Sequence, residues 1–182
     1  MGWIIVAVVL VLLIIYIIST YNTLVRLRNS VRESFSTMDV YLKKRWDLIP
    51  NLVETVKGYA KHEKETLEGV IKLRNGAYDS MSHEEKINAN QELSRGITKI
   101  MALAENYPEL KANTNFTDLS NQLSKVEEDI ANARKYYNAV VRRFNDKVEM
   151  FPSNLVAKMF GFKLEKMFEI IEEQRENVKV EF

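Results

Sequence analysis

His62 and His83 are the only histidines in the chain, and each is followed by glutamate. A zinc-protease helix begins this way, but it needs a second histidine one turn on. Thr66 and Ile87 occupy those positions. Di-iron sites in helical bundles use Glu-x-x-His pairs facing the core, and Tyr59 stands where the glutamate would precede His62. Cysteine is absent, which removes thiolate nucleophiles, disulfides and cysteine metal sites together. The glycines are scattered singly, so no phosphate-cradling loop exists, and no Gly-x-Ser-x-Gly elbow presents a serine nucleophile. Neither a catalytic residue, a metal site nor a bound cofactor is expected, and no small-molecule substrate is evident.

The remaining polar candidates are weaker. Asp39, Asp47 and Glu54 lie among Lys43, Lys44 and Arg45, and the ordinary reading is a solvated helix face whose ion pairs each contribute a few tenths of a kcal/mol. Lysine plus arginine (26) nearly balances aspartate plus glutamate (25), so the basic excess expected of a nucleic-acid binder is missing. Asparagine and tyrosine recur within the helical pattern at Asn51, Tyr59, Asn106, Tyr107, Tyr137 and Asn138, with Asn22, Asn113, Tyr136 and Asn145 alongside. Asparagine is a mediocre helix former. Its recurrence marks positions that bond across a bundle or meet a partner. Together with His62, the first six are the candidate partner or network residues. An internal network that fixes register is the leading explanation, as for single polar residues in coiled-coil cores.

The elements that carry these residues are legible. Between Trp3 and Ile18 every residue except Trp3, Ala7 and Tyr16 is Ile, Val or Leu. On an insertion scale such a run contributes about −4 to −8 kcal/mol, enough to partition into a bilayer. Trp3 and Tyr21 flank it, roughly 27 Å apart along a helix, which suits aromatic residues at both interfaces. A cleaved signal peptide would need a basic start and a small-x-small cleavage site. Neither Met1-Gly2 nor Ser19-Thr20-Tyr21 provides one. Arg26, Arg28 and Arg32 follow the span and nothing basic precedes it, so the positive-inside rule places the N-terminus outside and the bulk of the chain in the cytoplasm.

Beyond the span, Leu24, Leu27, Val31, Phe35, Met38 and Leu42 continue one helical face. A boundary or kink is expected at Asp47-Leu48-Ile49-Pro50, because proline breaks a helix interior and Asp47 is a plausible N-cap. A second helix would carry Leu52 to Ile71, with a turn at Asn75-Gly76. Ser82 and Glu85 form a capping-box pattern that opens a third helix, which should end by Tyr107 ahead of Pro108. Phe116 to Phe151 keeps a near-heptad beat, closed by Pro152. The fold expected is all-α: an N-terminal transmembrane helix (1–21), then an antiparallel bundle of three to four long helices (22–162) and a poorly ordered or partner-dependent tail (163–182). Leu155 to Phe162 is apolar and compact. With one lysine it reads better as a cap on the bundle than as a helix on the bilayer surface.

Certain runs resemble the LemA family of bacterial membrane proteins: Tyr21-Asn22-Thr23-Leu24-Val25, Val40 to Arg45, Asp47 to Ala60, His62-Glu63, Glu105 to Pro108, Leu110 to Asn113, Phe116, Ala133 to Asn138 and Phe151 to Asn154. The likeness runs in order from about Met1 to Gly161 and leaves the closing tail without a signature. It implies a single-pass protein of the bacterial inner or plasma membrane, with its N-terminus outside and a cytoplasmic helical bundle. The likeness also suggests roles in membrane organisation or envelope stress. Trp46 departs from the small or polar residue expected there. Three functions follow from the residues. The first is a membrane-anchored interaction scaffold without catalytic activity, held by the bilayer through Trp3–Ile18 and binding a protein partner or itself. A ligand- or stress-responsive membrane sensor is the second. A hydrolase using carboxylates near His62 is the weakest.

Overall fold

A computed structural model describes residues 1–60, 62–73 and 78–168. Its elements are α1 (Gly2–Tyr59), α2 (Lys64–Leu73), a 3₁₀ turn (Tyr78–Ser80), α3 (His83–Ala104), the short α4 (Pro108–Lys111), α5 (Thr114–Glu149) and α6 (Ser153–Met159). There is no strand among the described residues. The expected Asn75-Gly76 turn and residues 169–182 lie outside the described residues. The chain divides into two units, Met1–Ser36 with Arg134–Met167, and Thr37–Ala133 with the segment that follows Met167.

Helix α1 begins in the apolar run, where the side chains of Ile4, Ile5 and Val8 to Ile15 are all exposed. Backbone polar groups have no water to bond in hydrocarbon, so a helix is the conformation a single span must take. Packing starts at Thr20 and Leu24, both buried, and proceeds through Val31 and Phe35 in the first unit. There the far half of α5 runs antiparallel to α1, with the Phe35 and Tyr137 rings 5.8 Å apart, edge to face. The chain then turns through Phe151-Pro152 into α6. Gly161, at φ 71°, closes α6: Phe162 N–H reaches Ala157 O at 2.9 Å and Gly161 N–H reaches Lys158 O at 3.2 Å. This is the paired-bond C-cap whose left-handed residue favours glycine.

The second unit winds up, down, up and down. Asn113 meets Tyr59, and Glu127 meets Arg45, so α5 descends along α1. Lys86 meets Asp39 and Asn90 meets Arg45, so α3 ascends with α1, while α2 makes the return between them. The capping box opens α3 as expected: Glu85 N–H bonds Ser82 Oγ, and Ser82 N–H bonds Glu85 Oε2. Hydrogen bonds from Ser82, the backbone N–H first and the side chain second, hold the Glu85 carboxyl below the usual range. Pro108 sits at the start of α4 and α3 has ended by then.

The helix boundary expected at Asp47–Pro50 is not there. Helix α1 runs through Pro50 to Tyr59, and α2 begins at Lys64. An interior proline costs about 3 kcal/mol through a lost bond and a clash with the preceding turn. Trp46, Ile49, Leu52 and Val53 are all buried beside it. At roughly 1.5–3 kcal/mol for each buried large apolar side chain, continued packing outweighs that loss. Gly58 weakens the last turn instead, and a Glu63 N–H to Ala60 O bond of 3.1 Å makes the corner. The expected helix from Leu52 to Ile71 is thus two pieces, the end of α1 and α2.

Candidate functional site

Arg45 lies on the stripe Met38, Leu42, Ile49, Leu52, all four of them buried. Its heptad position sends the guanidinium inward, where it is only 2% exposed. Nη2 donates to Asn90 O at 2.8 Å and to Asn90 Oδ1 at 2.9 Å. Nη1 donates to Ser94 Oγ at 2.8 Å and to Glu127 Oε1 at 2.6 Å. One arginine thus ties α1 to α3 and α5, the use of a planar five-donor fork that lysine could not reproduce. Ser94 Oγ also donates to Asn90 O, and Asn90 Nδ2 donates to Lys86 O. A serine at part-buried depth and a fully buried asparagine are placed on α3 to meet one cation.

The network continues toward the 3₁₀ turn. Lys86 Nζ lies 2.7 Å from Asp39 Oδ2, and Tyr78 OH donates to Asp39 Oδ1 at 2.7 Å. Trp46 packs on Tyr78 with ring centroids 5.1 Å apart, and the Lys86 ammonium sits 4.8 Å from the Tyr78 ring centre. Burial raises the Tyr78 hydroxyl well above its ordinary range, and the bond and charge of Asp39 add to it. This corrects the solvated-face reading of Asp39 and Arg45. Of the Lys43-Lys44-Arg45 run, Lys43 pairs with exposed Asp47 at 3.2 Å and Lys44 is exposed, as that reading requires. Arg45 alone turns in. The signal was its place in the apolar heptad, and Asn90 shares the same kind of place between Ile87 and Leu93.

The candidate residues named from sequence fall in several places. At the far end of the second unit, Tyr59 OH accepts a bond from Asn113 Nδ2 at 2.9 Å, while Asn113 Oδ1 caps α5 at the Phe116 N–H. Tyr107 OH reaches Glu63 Oε1 at 3.4 Å. His62 is exposed in the same α1–α2 corner as Glu63, and Asn106 is exposed beside Tyr107. Asn51 faces out from α1. Tyr137 belongs to the first unit, where its buried hydroxyl donates to Lys166 O at 2.9 Å. Burial, with Glu165's charge second, pushes that hydroxyl up to about 12. Asn138 is half-buried nearby on α5. Asn145, one of the flanking asparagines, pairs with Glu165 in both directions, its amide donating to the carbonyl and its oxygen accepting the N–H, each at 2.9 Å. Among the described residues no three histidine, aspartate or glutamate side chains converge as a metal site would need.

A sequence model of the LemA family matches residues 34–182. This chain belongs to the LemA family. The matched stretch includes the closing segment in which no family signature was legible. Among curated relatives, Protein LemA of Metamycoplasma hominis is 27% identical over 161 residues, covering 86% of this chain and 72% of that protein. Magnetosome protein MamQ 2 of Paramagnetospirillum magneticum is 23% identical over 175 residues, covering 82% of this chain and 64% of its own length. Magnetosome protein MamQ of Magnetospirillum gryphiswaldense is 22% identical over 188 residues, with 87% and 68% covered. The chain therefore spans about two thirds of the magnetosome relatives it matches. Family, apolar N-terminal helix and all-helical build together define a membrane-associated helical protein.

Proposed function

We propose that this LemA-family chain is a non-catalytic scaffold, anchored by Trp3–Ile18 in the cytoplasmic membrane, whose bundle recruits a protein partner on the cytoplasmic side. The observation that carries the reading is the unbroken course of α1, one helix from the apolar run to Tyr59. The helix that carries the apolar run also supplies the buried stripe Met38, Leu42, Ile49 and Leu52, so the anchor and a packed helical unit share one element. Around Arg45 the buried charged and hydrogen-bonding groups are engaged with one another, which favours register over turnover. Exposed polar positions, Tyr59 and His62 at the α1–α2 corner and Asn106 in the α3–α4 turn, form the surface we assign to a partner. Relatives named for the magnetosome support a role at a membrane.

Photocrosslinkers at Asn51, His62 and Asn106 in living cells test this. The same captured protein from His62 and Asn106, and not from Asn51, is the expected result. No adduct from any of the three sinks the scaffold. Orientation is tested separately on Ser80→Cys, an exposed position in a chain without native cysteine. It should react with a membrane-impermeant maleimide only after lysis, and labelling of intact cells would reverse the topology. Ser153 is buried and cannot serve.

A further inference from the structure

The first unit ends in an apolar surface that nothing in the unit covers. Phe151, Leu155 and Met159 are 78%, 60% and 61% exposed. They are spaced by four residues, so the face of α6 that carries Leu155 and Met159 continues the turn residue Phe151. The opposite face packs inward through Ser153, Val156 and Ala157. No charged residue occurs from Met150 to Ala157. Lone exposed apolar residues need no explanation, but a contiguous group of this size marks an interaction surface.

Position decides what covers it. The exposed face borders an apolar recess whose other wall is Leu13, Tyr16 and Ile17 of α1. Those residues lie inside the apolar run, four to eight positions short of Tyr21, or roughly 6–12 Å along the helix. Tyr21 packs on Phe160 at 4.6 Å and on Phe162 at 5.9 Å, and the Arg28 guanidinium sits 5.1 Å over the Phe162 ring. An aromatic and cationic belt of this kind marks an interface, and α6 lies on the apolar side of it. The surface is thus continuous with the lipid-facing surface of the span.

We infer that the α5–α6 turn and α6 are a second membrane element, inserted in the leaflet next to the bundle beside α1 and covered by lipid acyl chains. Several polar groups of the segment are bonded within it, as hydrocarbon requires of a backbone, while Asn154 Oδ1 is left unpaired. Met150 N–H bonds Asp146 O, Asn154 N–H bonds Met150 O, Leu155 N–H bonds Pro152 O, and the end of α6 is closed at Gly161. Ser153 Oγ returns to Met150 O at 2.9 Å. Lys158, exposed near the belt, has a stem long enough to reach headgroups. Sequence reading preferred a capping role because one lysine is too few to draw a free helix to a membrane. A helix already tethered by the span needs no such attraction. The element both packs on its own unit and meets lipid.

The inference rests on the anchor and goes beyond the scaffold, and the test separates the two. Full-length protein carrying one cysteine, at Ile14, Leu155 or Ser80, is labelled with the environment-sensitive fluorophore NBD. It is then reconstituted in phosphatidylcholine vesicles containing lipids brominated along the acyl chain. The Ile14 label should be quenched by brominated lipid and the Ser80 label by aqueous iodide. The expected result for Leu155 is blue-shifted emission, loss of fluorescence to brominated lipid and none to iodide. Iodide quenching at Leu155 overturns the inference while Ile14 upholds the anchor. Quenching by neither also overturns it, and assigns the face to a second copy. Failure at Ile14 removes the anchor itself. A Met159→Cys label repeats the reading should the Leu155 variant fold poorly.

Discussion

Around Arg45 the second unit encloses a full positive charge, a carboxamide and a carbonyl, while the first unit leaves Phe151, Leu155 and Met159 in the open. Both are departures from the pattern of a water-soluble helical protein, and they run in opposite directions. A buried guanidinium is tolerable where both terminal nitrogens find acceptors, though Nε finds none, and its counter-charge keeps a path to water, as Glu127 does at 41% side-chain exposure. Such a network adds little net stability over an apolar core but penalises every wrong register. An open apolar cluster costs free energy in water and none in lipid. On the inference above, the network of the second unit serves specificity, and the open face of α6 in the first serves a setting without water.

The largest effect that would break this comparison is at Arg45. Arg45→Ala removes four hydrogen bonds that tie α1 to α3 and α5. Breaking one side of a buried pair costs about 3–5 kcal/mol. Because Glu127 is half in solvent, the lower end, about 3 kcal/mol, is expected in urea denaturation of the detergent-solubilised protein. Arg45→Lys should recover less than half of it, since an ammonium cannot match the fork. A loss below about 1 kcal/mol would mean that the network does not organise the unit.

Arg45 also shows what sequence could and could not give. The span, the capping box at Ser82, the stop before Pro108 and the long helix to Glu149 followed from hydrophobic period and cap chemistry, which act locally. Pro50 did not, because its local penalty competes with burial of Trp46, Ile49 and Leu52 against other helices. Arg45 and Asn90 were readable only as polar residues in apolar register. Their partners, at separations of 45 and 82 residues, cannot be deduced from spacing along one helix. Of the candidate residues, Tyr59 and Tyr107 make hydrogen bonds between elements, and Tyr137 packs its ring on Phe35 of α1 while a backbone carbonyl holds its hydroxyl. Asparagine in a helix pointed to a network without saying with whom.

In the first unit the equivalent fixing device is smaller. Asn145 substitutes for a strand partner, pairing both ways with the Glu165 backbone, and Tyr137 holds the next residue's carbonyl. Asn145→Ala should cost about 1–2 kcal/mol through two lost bonds, and amide exchange at Glu165 should accelerate. Unchanged protection there would show that the 162–168 segment is held by its apolar contacts alone.

Tyr137→Phe is expected to cost about 1 kcal/mol near neutral pH, the worth of one hydroxyl bond. Its pH dependence is more telling. The folded hydroxyl titrates at about 12, above the ordinary tyrosine value of 10.0. Between those values the unfolded chain has released the proton and the folded chain has kept it. This contribution is therefore complete below pH 10 and is lost as pH rises toward 12. Tyr78, also raised, adds to the decline in the same direction. Stability of Tyr137→Phe should fall less steeply than that of the parent between pH 10 and 12, and parallel curves would refute the assignment.

The smallest effect is the sharpest control. Val40, on α1 in the second unit, is 65% exposed, close to the 60% of Leu155 in the first. By exposure alone the two are interchangeable. If Val40 faces water, Val40→Lys changes stability by no more than about 0.5 kcal/mol, as surface substitutions do, in detergent and in vesicles alike. If Leu155 faces lipid, Leu155→Lys is equally mild only where water can reach it. In a bilayer a lysine below the interface costs up to about 2.5–3.5 kcal/mol, less what snorkelling recovers. The measurement is resistance to urea in vesicles, both variants against the parent. A penalty at Leu155 with none at Val40 assigns the two exposed faces to different solvents. Equal, small effects at both would return α6 to water and withdraw it as a membrane element.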